Sequence, residues 1–430
     1  MNRPAGAIVL GLGLALTACH RESSSGAADA AVVTVTAAVD AESLLPKPTV
    51  LPARCHPTEA GFAVDDGRGM DDLEIGDAVA AAGGYAVDVV HRTPAGRVAA
   101  VALLSAGAAS MQLHDLGPTL GDAPPPRVSW RGADLVAVSY ALSKRSEARE
   151  LGVYLMSATG DVRSTGTVAE ARDDSLAFDV SPTLVVWDEA RLGSLPRGVI
   201  RAAEIGPDGR PGPARDVSPP ESDGEMPRLA SSGGVTLVFW IDRKPESAEP
   251  VDASASEVTG EARANSWLEV VAVDPHGAPL GAVRRLTALT GHVSAYDVAV
   301  LPGAAAGSRP EVLVAARDDG EAVDGSGGAL LRVRVRADGQ DPPLAFATDG
   351  LGRGAPAFVD GSPPWLSWVS ATEEGRLLSL DAAGAPTQLP GAEPSLDDGR
   401  PLAWVEQGRR LLAAMPGDSA AQLRVLSCVP

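Results

Sequence analysis

Lysine is almost missing from this chain of 430 residues: Lys47, Lys144 and Lys244 are the only three. Asp and Glu number 56 against 36 Lys and Arg, a formal charge of −20. Such a chain repels phosphate, which excludes nucleic acid as a partner. Aromatic residues make up only 4%, and there are three cysteines and six histidines. The 47 glycines and 35 prolines are scattered along the whole length, which excludes a long coiled coil. Apolar residues still reach 45%, enough for a real core, so wholesale disorder is excluded too. The length allows two or three domains, or one large β or α/β domain. The shortage of Lys beside plentiful Arg, Ala, Gly and Pro reflects genome composition and says nothing about function.

The N-terminus reads as a targeting segment. Arg3 supplies a positive charge, and Ala7 to Leu16 is an apolar run too short for a resident membrane helix. The run ends in Leu16-Thr17-Ala18-Cys19, which resembles the lipobox of bacterial lipoproteins. That resemblance implies a diacylglycerol on the Cys19 thiol, cleavage before Cys19 and acylation of the new amine, palmitate being the acyl type expected. Several acyl chains anchor a protein stably where one does not. An ordinary cleaved signal peptide with a fortuitous cysteine is the other reading. His20 follows where Asp is the inner-membrane retention signal, so the expectation is the outer membrane of the cell envelope. The expected organisation is a signal peptide over 1–18, a disordered tether over 19–49 and a globular region over 50–430. The Ser-, Ala- and Pro-rich composition of the tether does not bury enough surface to order itself. With Cys19 acylated, Cys55 and Cys428 remain. They lie at the two ends of the globular region, and in an exported protein such a pair is expected to form a disulfide, two free thiols being the alternative.

A repeat runs through residues 50–430. One strand pattern recurs as VDVVHR (87–92), VAVSYA (136–141), LVVWDE (184–189), LVFWID (237–242), LVAARD (313–318), LSWVSA (366–371) and LAWVEQ (402–407). Tyr140, Trp187, Trp240, Trp368 and Trp404 supply its large residue. A second strand follows each copy: 98–107, 151–161, 198–209, 268–277, 330–339, 376–384 and 422–428. Several of these second strands close on a Gly-containing tight turn. The spacing is irregular, 47 residues from Tyr140 to Trp187 and 53 from Trp187 to Trp240. Periods of this size with about four short strands per unit are what a β-propeller requires. The expected fold is therefore all-β, a propeller of seven blades, with six and eight as neighbouring counts. The last unit lacks a fourth strand, and residues 50–64, with Cys55, are placed to supply it and close the ring. The pattern is similar to that of secreted bacterial β-propeller proteins in general and to none of the named repeat signatures. The polar stretch 244–264 reads as an insertion loop in the fourth unit.

No motif for chemistry stands out. The histidines (20, 56, 91, 114, 276 and 292) form no zinc spacing, so no metal site is expected. Ser326 sits in a glycine-rich loop without the G-x-S-x-G nucleophile pattern. Two acidic clusters offer the oxygen ligands calcium takes: Asp65, Asp66, Asp71, Asp72, Glu74 and Asp77, and Asp318, Asp319, Glu321 and Asp324. Neither has the alternating register a calcium loop needs, and both read as solvated loops. Asp179, Asp188, Asp242, Asp297 and Glu406 lie on or beside strands and are the candidate carboxylates for glycoside chemistry. The acids at 188, 242, 318 and 406 recur at one place in the repeat, which reads as a repeated structural contact. Trp267 and Trp365 are off the repeat and are expected at the surface. No cofactor is expected. The functional expectation is a lipid-anchored envelope propeller that binds or scaffolds an envelope protein or glycan. The alternative is a polysaccharide hydrolase or lyase with its site in the central channel. Inward-facing carboxylates and arginines in that channel would favour the enzyme.

Overall fold

The computed structural model describes the strands of residues 54–429 and most of their connections. Residues 1–53 and 244–264 lie outside the described residues. So do the loops around 65–72, 143–148, 169–176, 192–196, 302–310, 321–327, 347–350, 360–364, 388–399, 406–409 and 416–421. The lipobox, the tether, the insertion and Ser326 therefore fall outside what is described.

Every regular element among the described residues is a strand, and the strands form seven sheets. Blade 1 runs from Glu74–Ala81 through Gly84–Thr93 and Gly96–Ser105 to Ser110–Pro118. Blades 2, 3, 4 and 5 begin with Arg127–Arg131, Phe178–Val180, Gly224–Ser232 and Val293–Val300 and continue as antiparallel meanders. Blade 6 has three described strands, Ala357–Val359, Trp365–Val369 and Gly375–Ser379. Blade 7 consists of Arg400–Val405, Arg410–Met415 and Gln422–Val429, and Arg54–Pro57 completes it. The first strand of each blade touches the first strand of the next, and that of blade 7 touches that of blade 1. The chain is a closed β-propeller whose first strands surround the channel.

The N-terminal strand closes the ring as the incomplete last unit required. Arg54–Pro57 pairs antiparallel with Gln422–Val429, and Cys55 stands directly opposite Cys428. Pairing removes two exposed strand edges at once.

Apolar clusters fill the spaces between blades. Leu73, Val87, Ala102 and Met111 of blade 1 pack with Leu402, Leu412 and Leu423 of blade 7. Similar clusters join blades 1 and 2, 2 and 3, 3 and 4, 4 and 5, and 5 and 6. The sheets of blades 1 to 5 are thus covered on both faces. This is why second strands such as Leu184–Arg191 and Val235–Arg243 read as nearly unbroken apolar runs rather than alternating ones. Tyr140, Trp187, Trp240 and Trp368 are buried in this packing, as their repeat position indicates.

Two expectations are corrected. The copy at 402–407 begins on the first strand of blade 7, whereas the other six begin on second strands. The true second strand is Arg410–Met415, which carries no aromatic marker. Trp365 is buried rather than at the surface, because it opens a second strand paired on both sides, with Val359 and with Ser379. Trp267 is half-buried, its ring covered by the Arg285 guanidinium at 5.5 Å.

Candidate functional site in the central channel

The first strands carry, in blade order, Asp77, Arg127, Asp179, Arg228, Asp297, Ala357 and Arg400. Acid and base alternate around the ring, and blade 6 alone contributes an uncharged residue. Asp77, Arg127, Arg228, Asp297, Ala357 and Arg400, with Tyr296, Ser367 and Trp368, line one cavity of about 520 Å³. That lies within the size range of small-molecule sites.

β-Bulges in the first strands of blades 1, 4, 5 and 7 aim these residues. A bulge bends its strand and releases a main-chain group from the ladder. In blade 1 the bulge holds Gly76 and Asp77, and a Cβ on Gly76 would lie 2.7 Å from the Asp88 Cβ, so only glycine fits there. In blade 4 it holds Met226, whose φ of +54° is unusual for a residue with a side chain. The freed Met226 N–H donates to Asp188 Oδ2 of blade 3 at 3.0 Å. The Met226 carbonyl accepts from the Tyr296 hydroxyl of blade 5 at 2.7 Å. The left-handed Met226 is thereby held through both peptides that flank it.

The channel acids bind main chain and arginine. Asp179 accepts from its neighbour Val180 N–H at 2.9 Å and from Leu229 N–H of the next blade at 2.7 Å. Asp297 repeats this arrangement, accepting from Phe358 N–H of blade 6 at 2.7 Å. Asp77 pairs with both Arg127 and Arg400, the latter at 3.0 Å. Arg228 has no ion pair among the described residues and donates only to the Pro227 carbonyl, at 3.3 Å.

Burial shapes the charges. It pushes the Arg127 guanidinium down to about 10, with repulsion from Arg228 and Arg400 adding to the effect and Asp179 and Asp297 opposing it. Arg127 remains a cation at neutral pH. Burial also lowers Arg400, against Asp297 and Asp88. It raises the Asp297 carboxyl, opposed by Arg228 and the Phe358 N–H. Asp88, just behind the blade 1 bulge, is raised well above the carboxylate range by burial and then by Asp179. Its Oδ1 and the Trp368 Nε1 have no hydrogen-bond partner among the described residues.

No family model and no curated protein matches this chain. Solved structures do resemble it. The Penicillium chrysogenum α-L-arabinanase complexed with arabinobiose is 13% identical, covering 70% of this chain and 92% of its own, at a TM-score of 0.39. The Fusarium graminearum GH93 α-L-arabinofuranosidase with arabinobiose is 11% identical over the same shares, at 0.40. A variant of the Synechocystis apocarotenoid oxygenase is 15% identical, covering 74% of this chain and 71% of its own, at 0.42. None of these likenesses reaches beyond general architecture.

The residues singled out from sequence are divided by the fold. Asp179, Asp188 and Asp297 belong to the channel network. Asp242 and Asp318 do not: each accepts from the main chain just before its own blade's first strand, at Asp223 N–H (3.0 Å) and His292 N–H (3.1 Å). Asp188 makes the same contact at Ala177 N–H, 3.1 Å, so the recurring acid is a structural clasp with one member extended into the channel. Glu406 lies outside the described residues. The first acidic cluster separates, Glu74 pairing with Arg97 and Asp77 facing the channel, while Asp65, Asp66, Asp71 and Asp72 lie outside the described residues. Of the second, Asp319 pairs with Arg317 at 2.5 Å, and Glu321 and Asp324 lie outside. His91 meets Asp115 at 2.8 Å and His276 meets Glu204 at 2.6 Å. No group of three metal-ligating side chains occurs among the described residues. Arg127, Arg228, Arg400 and Tyr296 were missed from sequence. Their one signal was a charge repeated on the strand preceding each Gly-rich or apolar repeat copy.

Proposed function

We propose that this chain is a lipid-anchored cell-envelope protein whose propeller is a binding module, with its ligand site in the channel. The observation that carries the reading is the engagement of the channel carboxylates. Asp179 and Asp297 are each fixed by main-chain N–H groups, and Asp77 lies between two arginines. A carboxylate so held has its lone pairs occupied by fixed donors, stabilises the ring and presents a fixed polar surface. Arg228, with no ion pair among the described residues, is the open recognition group beside them. The partner is an envelope glycan or protein.

A second reading, a polysaccharide hydrolase, is favoured by the same ring of inward-facing acids and arginines. Glycoside hydrolysis needs one protonated carboxyl and one carboxylate flanking the bond. Incubation of the protein with envelope polysaccharide separates the two. Retention of polysaccharide without new reducing ends supports the binding module. New reducing ends that vanish in Asp297→Asn support the hydrolase.

The anchor rests on Leu16-Thr17-Ala18-Cys19. Among the described residues no helix is long and apolar enough to cross a membrane. Cys19→Ala should move the protein from the membrane to the soluble fraction and abolish labelling by radioactive palmitate. Label persisting on that variant would remove the lipoprotein assignment.

A further inference from the structure

We infer that the channel cavity is a receptor site for a sugar acid, a hydroxylated small molecule with one carboxylate, held at Arg228 with Arg127 and Arg400 beside it. This rests on the binding-module reading and names its ligand class.

Three guanidinium groups from blades 2, 4 and 7 line one cavity of about 520 Å³. Two of them already share Asp77. Among the described residues Arg228 makes no ion pair, acts on Asp297 only through space, and has one hydrogen bond, to the carbonyl of the preceding residue. A guanidinium presents a planar fork that matches a carboxylate through two parallel hydrogen bonds. The three cations weaken one another at Arg127, where Arg228 and Arg400 both oppose the charge. An anion among them relieves that repulsion.

The size of the negative charge follows from the rest of the ring. Asp77, Asp179 and Asp297 match the three arginines, and the whole chain carries −20. A multiply charged phosphate or polyanion meets this field several times more unfavourably than a single carboxylate, whose charge the Arg228 fork can match by itself. Hydroxyl groups on the ligand are called for by the remaining lining. Asp297 and the Tyr296 oxygen offer acceptors, and the Trp368 indole N–H is a buried donor without a partner among the described residues. The wall from blade 6, Ala355, Pro356 and Ala357 with Val369, is apolar and suits the carbon face of a sugar ring. One molecule combining a carboxylate, hydroxyls and an apolar face is a uronate-type sugar.

The test is calorimetric titration of the full-length protein in detergent with D-galacturonate, D-galactose and inorganic phosphate. Galacturonate should bind at least about tenfold more tightly than either of the others. Arg228→Gln should weaken galacturonate about tenfold or more while leaving the melting temperature unchanged, since Arg228 makes little structural contact. Arg228→Lys, which keeps the charge and loses the fork, should fall between. Equal binding of galactose, tighter binding of phosphate, or indifference to Arg228→Gln would overturn the sugar-acid assignment. In those cases retention of neutral envelope glycan would leave the binding module standing. Mass spectrometry of trigalacturonate incubated with the protein addresses the underlying reading separately: an intact trimer supports a receptor, and shortened products overturn it.

Discussion

Arg400, on the first strand of blade 7, donates from Nη1 to Asp77 Oδ1 of blade 1 at 3.0 Å. Its Nη2 donates to the carbonyls of Ile75 at 2.8 Å and Gly76 at 2.5 Å. One side chain thus joins the inner edges of the two blades farthest apart in the chain. At the outer edge of blade 7 the seam is closed by the pairing of Arg54–Pro57 with Gln422–Val429. Between these lies the apolar cluster shared by blades 7 and 1.

Loss of the inner clasp should be measurable. Arg400→Met keeps much of the aliphatic stem and removes the donors. With the side chain partly open to the channel, the expected cost is about 2 kcal/mol. Chemical denaturation of the variant and wild type checks this. A variant as stable as wild type would show that the apolar cluster and outer strand close the ring unaided.

At the outer clasp, directly opposed residues of an antiparallel pair have Cα atoms about 4.5–5.5 Å apart, within the range a disulfide spans. Cys55 and Cys428 hold such positions. Protein isolated from its native cells with thiols blocked should therefore show a Cys55–Cys428 linked peptide in a non-reducing digest. The bond would close a ring of more than 370 residues, worth about 5–6 kcal/mol in the loop-entropy model. Reduction, or Cys428→Ser, should lower the melting temperature by several degrees with the fold retained. Free thiols at both positions would exclude the bond.

The Met226 peptide offers a test of the channel network. Asp188 holds its N–H and also the Ala177 N–H. Asp188→Ala strands both donors and should cost about 2–3 kcal/mol. Met226→Gly, by contrast, relieves a left-handed backbone that a side chain resists, so it should be neutral or mildly stabilising. Thermal melts of the two variants should move in different directions. Strong destabilisation by Met226→Gly would mean that the methionine side chain, rather than the bulge, matters.

A pH effect is expected from blade 4. Opposite Trp187 in blade 3 stands Arg201, which pairs with Glu189 at 3.1 Å. The same position opposite Trp240 in blade 4 is Glu269. Burial, with Asp242 beside it, raises the Glu269 carboxyl to about 7, although Trp267 Nε1 donates to it at 2.9 Å. Because the folded form holds this proton more tightly than the unfolded chain, the contribution is full below about pH 4.5. It is lost as pH rises to about 7. Glu269→Gln should flatten that segment of the stability profile by up to about 3 kcal/mol. Urea denaturation at about pH 5 and about pH 8 reads the difference. An identical slope in the variant would assign the effect elsewhere, Asp88, Asp297 and Glu225 being other carboxyls that burial shifts in the same direction.

Much of the architecture was legible because second and third strands are buried on both faces. A strand that must be apolar throughout repeats its composition, so Leu184–Arg191 and Val235–Arg243 announce themselves. A last unit one strand short, with Cys55 and Cys428 at the two ends, also pointed to closure by the N-terminal strand. The misplacement of the 402–407 copy has the same origin. The first strand of blade 7 is apolar too, and Arg410–Met415, lacking an aromatic, hides the true second strand.

The channel was another matter. First strands can be as short as Phe178–Val180 or Ala357–Val359, and several are bulged, so no period survives to be read along them. Arg400 and Asp77 are 323 residues apart. Their meeting depends on ring closure, which local pattern does not encode. The sequence by itself determined the β-repeat, the strand pairs and the terminal strand available to close the ring, because burial on both faces dictates residue type directly. Only the tertiary structure decided which charges face each other. That outcome is set by where seven short strands, brought from distant parts of the chain, converge on one axis.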